Sequence, residues 1–248
     1  MRTTRLLSLA VLLSAFTLLA DDHNSNCSGL PSAGQLRTLL VKAALISNGG
    51  RVGGIFEGTR MWGAVVNRNG ELCAANTSTT DPTQVWPGSQ AIAKSKAYTA
   101  NAFSLDTFAL STARLYTFTQ PGHSLWSLGQ SNVFDPQALA PPSGNDGGKN
   151  QITGGQIFFG GGVPIYSGGG KIIGGLGVSG DTSCADHEIA KRVRNLAGLN
   201  PAGGMLADDI VYSPPDNPSV FAHPVCLETW RNGVRIGSEA PASYPLAP

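Results

Sequence analysis

Apolar positions recur along the chain in two periods, and the places where one gives way to the other mark out the elements. Between Ala33 and Asn48, residues Leu36, Leu39, Leu40, Ala43, Ala44 and Ile46 fall on one helical face; Ser32 stands at the cap position and Gly49-Gly50 ends the run. Met61 to Val66 and Glu71 to Asn76 flank Asn67-Arg68-Asn69-Gly70, whose Asn-Gly pair favours a tight reversal, so this stretch predicts a hairpin with Trp62, Ala64 and Val66 on one face. The polar, proline-containing stretch from Thr77 to Gly88 predicts a loop, and Ser89 then caps an alanine-rich helix through Phe103. Asp106 is expected to open a further short helix to Ala113. From Tyr116 to Thr153 the prolines and the Gly144 to Gly148 run leave only a long loop.

The second half is denser in signal. Val163 to Tyr166 and Lys171 to Val178 are apolar runs separated by Gly168-Gly169-Gly170, which predicts a second hairpin. Gly180-Asp181-Thr182 supplies cap side chains for a helix carrying Cys184, Ile189, Ala190, Val193 and Ala197 on its buried face. Beyond Leu199 the prolines multiply, with one expected strand pair, Val220 to Glu228 against Trp230 to Ile236, turning at Arg231-Asn232-Gly233. The chain thus alternates helices with two hairpins.

The first twenty residues follow a different logic. Arg2 and Arg5 precede an uncharged apolar run from Leu6 to Ala20, followed by Asp21-Asp22, which is the layout of a secretory signal peptide. The run is shorter than the roughly 20 residues of a spanning helix, so no membrane span is expected in the mature chain. The expected organisation is a signal peptide over 1–20, a polar leader over 21–31, one domain over 32–199 and an extension over 200–248 packed on it. Without Arg2 and Arg5, 15 of the 17 Lys and Arg remain against 16 Asp and Glu. A nearly neutral chain with no basic stripe argues against nucleic acid as a partner.

The order GGVPI, a glycine turn, IGGLGVSG and then Asp186 and Ala190 four apart resembles the GlcG/HbpS family of haem-binding proteins. Weaker similarity extends upstream through Val65 to Leu72 and Ala91 to Ala97, so the resemblance covers roughly Leu36 to Leu199. It implies an antiparallel sheet of about five strands sandwiched by helices, assembly into homo-oligomers, and binding of haem or a related tetrapyrrole. Its implied pocket walls are Gly161, Gly162 and Pro164 of the hairpin, Gly177, Ser179, Gly180, Thr182, Asp186 and His187 of the following corner, and Lys96 of the alanine-rich helix. Haem breakdown in the enzyme sense, or a ligand-free oligomeric interaction module, are the alternative readings.

Four cysteines in an exported chain are expected to form disulfides. Three pairings are open; Cys27 with Cys73 and Cys184 with Cys226 are favoured because each ties a terminal extension to the nearest element of the domain. Haem iron takes His, Met, thiolate or Tyr, and His187 or His123 is the candidate here. Two other motifs fail on context. Gly175 to Gly180 fits G-x-G-x-x-G, yet no acidic residue follows about 20 residues on, so no nucleotide is expected. His187-Glu188 lacks its second histidine, since Lys191 stands there, so no zinc is expected from that pattern. Backbone NH groups at Asp181 and Thr182 are expected to be able to meet an anion such as a propionate.

Overall fold

The computed structural model describes residues 27–145 and 147–240; the expected signal peptide lies outside them. Among the described residues the main sheet has four strands, not the five expected, in the order β2-β1-β4-β3 and antiparallel throughout. Strand β1 (Trp62–Asn67) and β2 (Leu72–Thr77) form the first hairpin; β3 (Gly162–Tyr166) and β4 (Ile172–Ser179) form the second. Pairing of β1 with β4, Trp62 opposite Ser179 through Asn67 opposite Gly174, joins the two hairpins.

Helices cover both faces. On one side α1 (Ala33–Ala43) and α3 (Ser183–Leu196) share a core with Leu36, Leu40, Val65, Val163, Ile165, Leu176, Val178, Ile189 and Val193. On the other side α2 (Ser89–Ala102) packs on Trp62, Ala64, Val66 and Leu72 through Ala93 and Ala97. Alternation within β1 separates the two cores: Trp62, Ala64 and Val66 point to α2, and Val65 points to α1 and α3.

The packing of α2 is unusually close, and β4 is where it happens. A Cβ built on Gly177 would stand 1.9 Å from the carbonyl oxygen of Ala93, and one on Gly175 would stand 2.1 Å from that of Ala97. The strand glycines therefore seat the helix backbone itself on the sheet.

Several expected elements differ. Helix α1 stops at Ala43 and a separate 3₁₀ turn follows at Ile46–Asn48. The short helix expected from Asp106 to Ala113 does not form: Leu105 and Phe108 bridge a turn, and a 3₁₀ turn occupies Thr112–Leu115. Asp106 instead accepts the NH of Ile172 and pairs with Lys171, so its carboxylate caps β4 rather than a helix. In the extension the antiparallel pair is β7 (Thr229–Arg231) with β8 (Val234–Gly237), while Ala222–His223, β6, pairs in parallel with Val211–Tyr212, β5.

The long loop is anchored by a lysine. Lys94, fully buried in α2, donates to Gln90 Oε1 at 2.9 Å, to the Ala138 carbonyl at 2.7 Å and to the Gly147 carbonyl at 2.6 Å. Two disulfides close the structure: Cys27 to Cys73, and Cys184 to Cys226.

Replacing Gly177 by alanine should force α2 off the sheet and cost about 3 kcal/mol, the upper part of the overpacking range. Gly168→Ala, where an added Cβ meets nothing within 4 Å, should change stability little. Urea denaturation of both variants checks the contrast; equal effects would mean that the close approach is not what Gly177 provides.

Candidate functional site

The corner where β3, β4, α2 and α3 meet is built around an ion pair with no access to solvent. Lys96 comes from α2 and Asp186 from the first turn of α3. The ammonium reaches Asp186 Oδ2 at 2.7 Å and the Val178 carbonyl at 3.0 Å, with the Phe159 ring 4.9 Å away. Asp186 Oδ1 accepts the NH of Asp181 at 3.0 Å. Burial pushes the Asp186 carboxyl up to about 6 against the pull of Lys96, and burial likewise lowers Lys96 against the Asp186 charge.

Glycines let the chain wrap this pair. Gly161 has φ 119°, and a Cβ there would stand 2.4 Å from the Val178 carbonyl and 2.7 Å from Lys96 Nζ. Gly162 donates to Thr112 Oγ1 at 2.8 Å, and that hydroxyl donates to the Phe159 carbonyl at 2.6 Å. The residues expected as pocket walls, Gly161, Gly162, Pro164, Gly177, Ser179, Gly180, Asp186, His187 and Lys96, are all buried against the rest of the chain, and Thr182 is half-buried.

The expected anion site at the start of α3 is filled from within. Thr182 Oγ1 accepts the NH of Ala185, Asp181 Oδ1 accepts the NH of Thr182, and Asp186 takes the NH of Asp181. Asp181 also accepts from Ile55 at 2.6 Å and Phe56 at 2.8 Å, tying down the loop before β1. Two carboxylates of the protein occupy the positions a propionate was expected to take.

The remainder of α3 carries buried charge towards the extension. Lys191 meets Glu188 at 2.7 Å and Asp209 at 2.8 Å, and Arg194 grips both oxygens of Asp208 at 2.5 and 3.0 Å. Arg192 pairs with Glu188 and donates to the carbonyls of Gly49 and Gly50. His187 Nε2 stands 3.4 Å from Asp209 Oδ1. Desolvation works to raise Asp209, but His187 and Lys191 beside it outweigh that and hold the carboxyl well below its usual range. His223 comes from the extension and packs on Tyr116 and Tyr212. Burial lowers it to about 4, which keeps the ring neutral. His123 lies exposed in the long loop.

An open cleft lies elsewhere, between the N-terminal half of α1 and the end of α3. It measures about 680 Å³ and is walled by Leu30, Pro31, Gly34, Leu39, Leu196 and Leu199. The Cys27–Cys73 bond holds its outer wall, residues 29–31, across β2. No periodicity announced this cleft, because its leader wall belongs to no regular element. Among the described residues, none that lines it is His, Met, Cys or Tyr.

An α/β sandwich with a glycine-bearing central strand and a buried Lys–Asp corner defines the class. Residues 45–194 match the family described as haem degrading protein HbpS-like, and the chain belongs to that family. No curated protein matches. Among solved structures, the ORFY protein of Klebsiella pneumoniae is 22% identical, covering 67% of this chain and 88% of that one with a TM-score of 0.45. PduOC in complex with haem is also 22% identical, covering 68% and 95% with a TM-score of 0.44. A double mutant of HbpS from Streptomyces reticuli is 19% identical, covering 65% and 83% with a TM-score of 0.37.

Lys96→Met leaves Asp186 charged and alone, and should cost about 3–5 kcal/mol, whereas Lys96→Met with Asp186→Leu should recover most of that loss. Chemical denaturation of the single and double variants measures the difference; no recovery would mean that packing, not charge, sets the cost. Acid should expose the role of Asp209. Its carboxyl is lower in the folded chain than in the unfolded one, so the unfolded chain takes up a proton near pH 4 that the folded chain refuses, and stability falls as pH drops below that point. Asp209→Asn should flatten this acid limb in a series of melts from pH 7 to pH 3.

Proposed function

We propose that this chain is an exported tetrapyrrole-binding protein of the HbpS-like family that takes the apolar body of a haem-type macrocycle into the cleft between α1 and α3. The observation that carries the reading is the cleft itself. Its volume of about 680 Å³ falls within the roughly 300–1,000 Å³ of small-molecule sites. Its walls are leucine, proline and glycine, suited to a flat apolar ring, while Gln35 and Thr38 at the rim offer polar groups to carboxylate side arms. The family's description supplies the haem class.

The iron is a separate matter. Among the described residues the cleft presents no axial donor, His187 and His223 are buried against the chain, and Met61 lies in the core. The described residues fit the macrocycle and offer its metal no ligand, so the reading is binding and delivery or sequestration rather than breakdown. Two disulfides and the apolar leader support export to a secreted or periplasmic location. Exposed Val41, Leu45 and Ile46 on α1 and its following turn favour assembly with a second copy.

Titration of the oxidised chain with hemin should give a saturable Soret shift. Gly34→Trp fills the cleft from a position where an added side chain meets nothing within 4 Å, and should weaken binding by about tenfold or more, equivalent to roughly 1.4 kcal/mol. His187→Asn and His123→Ala should leave it unchanged. A shift no larger than that of a non-binding control protein, or one lost in His123→Ala but kept in Gly34→Trp, would overturn the proposed site.

A further inference from the structure

The second disulfide sits beside a histidine that it does not need. Cys184 in the first turn of α3, Cys226 in the extension and His223 offer three ligand atoms that all lie within 4.8 Å of one another, and all three residues are buried. His223 Nδ1 lies 2.7 Å from the Pro224 carbonyl. That contact requires Nδ1 to carry the proton, which leaves Nε2 as the acceptor nitrogen of the ring. Metal-ligating histidines are oriented in this way, by a carbonyl or carboxylate on the far nitrogen.

Nε2 is loosely engaged in the oxidised structure. It accepts the NH of Gly160 at 3.2 Å and lies 3.4 Å from Ser183 Oγ. The same hydroxyl is 3.3 Å from Cys226 Sγ, so it stands between histidine and sulfur. Around them Ala113, Ile210 and Tyr212 make a dry shell. His223 and Cys226 are three residues apart, a spacing that lets two ligands of one loop turn to one ion.

We propose that reduction of Cys184–Cys226 converts this corner into a zinc site, with two thiolates and His223 Nε2 as ligands and Ser183 Oγ or a water in the fourth position. The cation class follows from the donors: two thiolates and one imidazole suit a borderline-soft ion in tetrahedral geometry. Two molecules of a thiol reductant give up two electrons and two protons, leaving as their own disulfide and converting the cystine to two cysteines. Zinc then displaces both thiol protons, so two protons are released for each ion bound. Two sulfurs on one zinc stand roughly 3.8 Å apart, from Zn–S bonds of about 2.3 Å. With the Cα atoms 6.0 Å apart, rotation of the two side chains supplies that separation. Metal and disulfide are mutually exclusive, so the corner would hold zinc when reduced and release it when oxidised. Cys226 and His223 lie beyond the family-matched residues 45–194, which makes the site a feature of this chain's extension and independent of the cleft.

The test compares the oxidised chain with the chain reduced by a phosphine and freed of reductant under argon, each titrated with zinc against a chromophoric chelator. One zinc per reduced chain and none per oxidised chain is expected. Alkylation with iodoacetamide followed by peptide mapping should show Cys184 and Cys226 protected by zinc while Cys27 and Cys73 react. His223→Gln should weaken binding by roughly 100-fold or more, and Cys27→Ser with Cys73→Ser should leave it intact. Equal binding by the oxidised chain, or a reduced chain that takes no zinc, whether circular dichroism finds it folded or not, would overturn the proposal. So would protection falling on Cys27 and Cys73 instead. Because mapping is done on the unaltered sequence, instability of a variant does not decide the result.

Discussion

The backbone of α2 lies directly on β4, and the rest of the structure depends on that approach. Gly175 and Gly177 leave no side chain between strand and helix, and the carbonyls of Ala93 and Ala97 occupy the space. From this seat Lys96 reaches Val178 at the end of β4 and Asp186 beyond it. The ammonium thereby joins elements from the two ends of the domain: α2, which follows the first hairpin, and α3, which follows the second. Leaving either charge unpaired in that dry corner would be costly, so the pair dictates how the two helices are placed relative to the sheet.

Helix α3 then poses a problem that the extension solves. Its inner face is apolar, with Ile189, Ala190 and Val193 in the core, but Glu188, Lys191 and Arg194 are buried as well. Charges are rarely found at such depth unless matched. Asp208 and Asp209 match two of them from the extension, and Arg192 is satisfied by the carbonyls of Gly49 and Gly50 together with Glu188. The extension is therefore part of the charge balance of the domain, and the Cys184–Cys226 bond fastens it at the start of the same helix. This is why a helix whose polar residues would ordinarily face water reads, in sequence, like an amphipathic surface helix.

What could be read from the residues follows the reach of each signal. The two hairpins, the three helices and the glycine-rich β4 are encoded by neighbours a few positions apart, and the Asn-Gly and triple-glycine turns mark the reversals. The helix expected from Asp106 failed because that carboxylate found a partner on β4, 66 residues away in sequence. The strand expected over Val220 to Glu228 shrank to Ala222–His223 because its partner, Val211–Tyr212, runs parallel, and parallel pairing leaves no hairpin signature. The cleft was hidden for a similar reason: one wall is leader, one is helix, and a disulfide between residues 46 apart brings them together. His187 illustrates the limit on sites. Its place after the GVSG strand was legible, but its orientation towards Asp209 is set by the extension.

The family-matched segment and the residues on either side of it play different parts in the structure. Residues 45–194 carry the sheet, α2, α3 to Arg194 and the Lys–Asp corner. The cleft is built by α1 and the leader before that segment and by the residues just after it, and His223 and Cys226 follow later still. Sequence outside the matched segment thus borders the cleft and completes the cysteine corner, while the matched segment holds them in place. Each flank is tied by a disulfide to an element of the matched segment, β2 for the leader and α3 for the extension. The two proposed sites, the cleft and the cysteine corner, therefore lie at those two points of attachment.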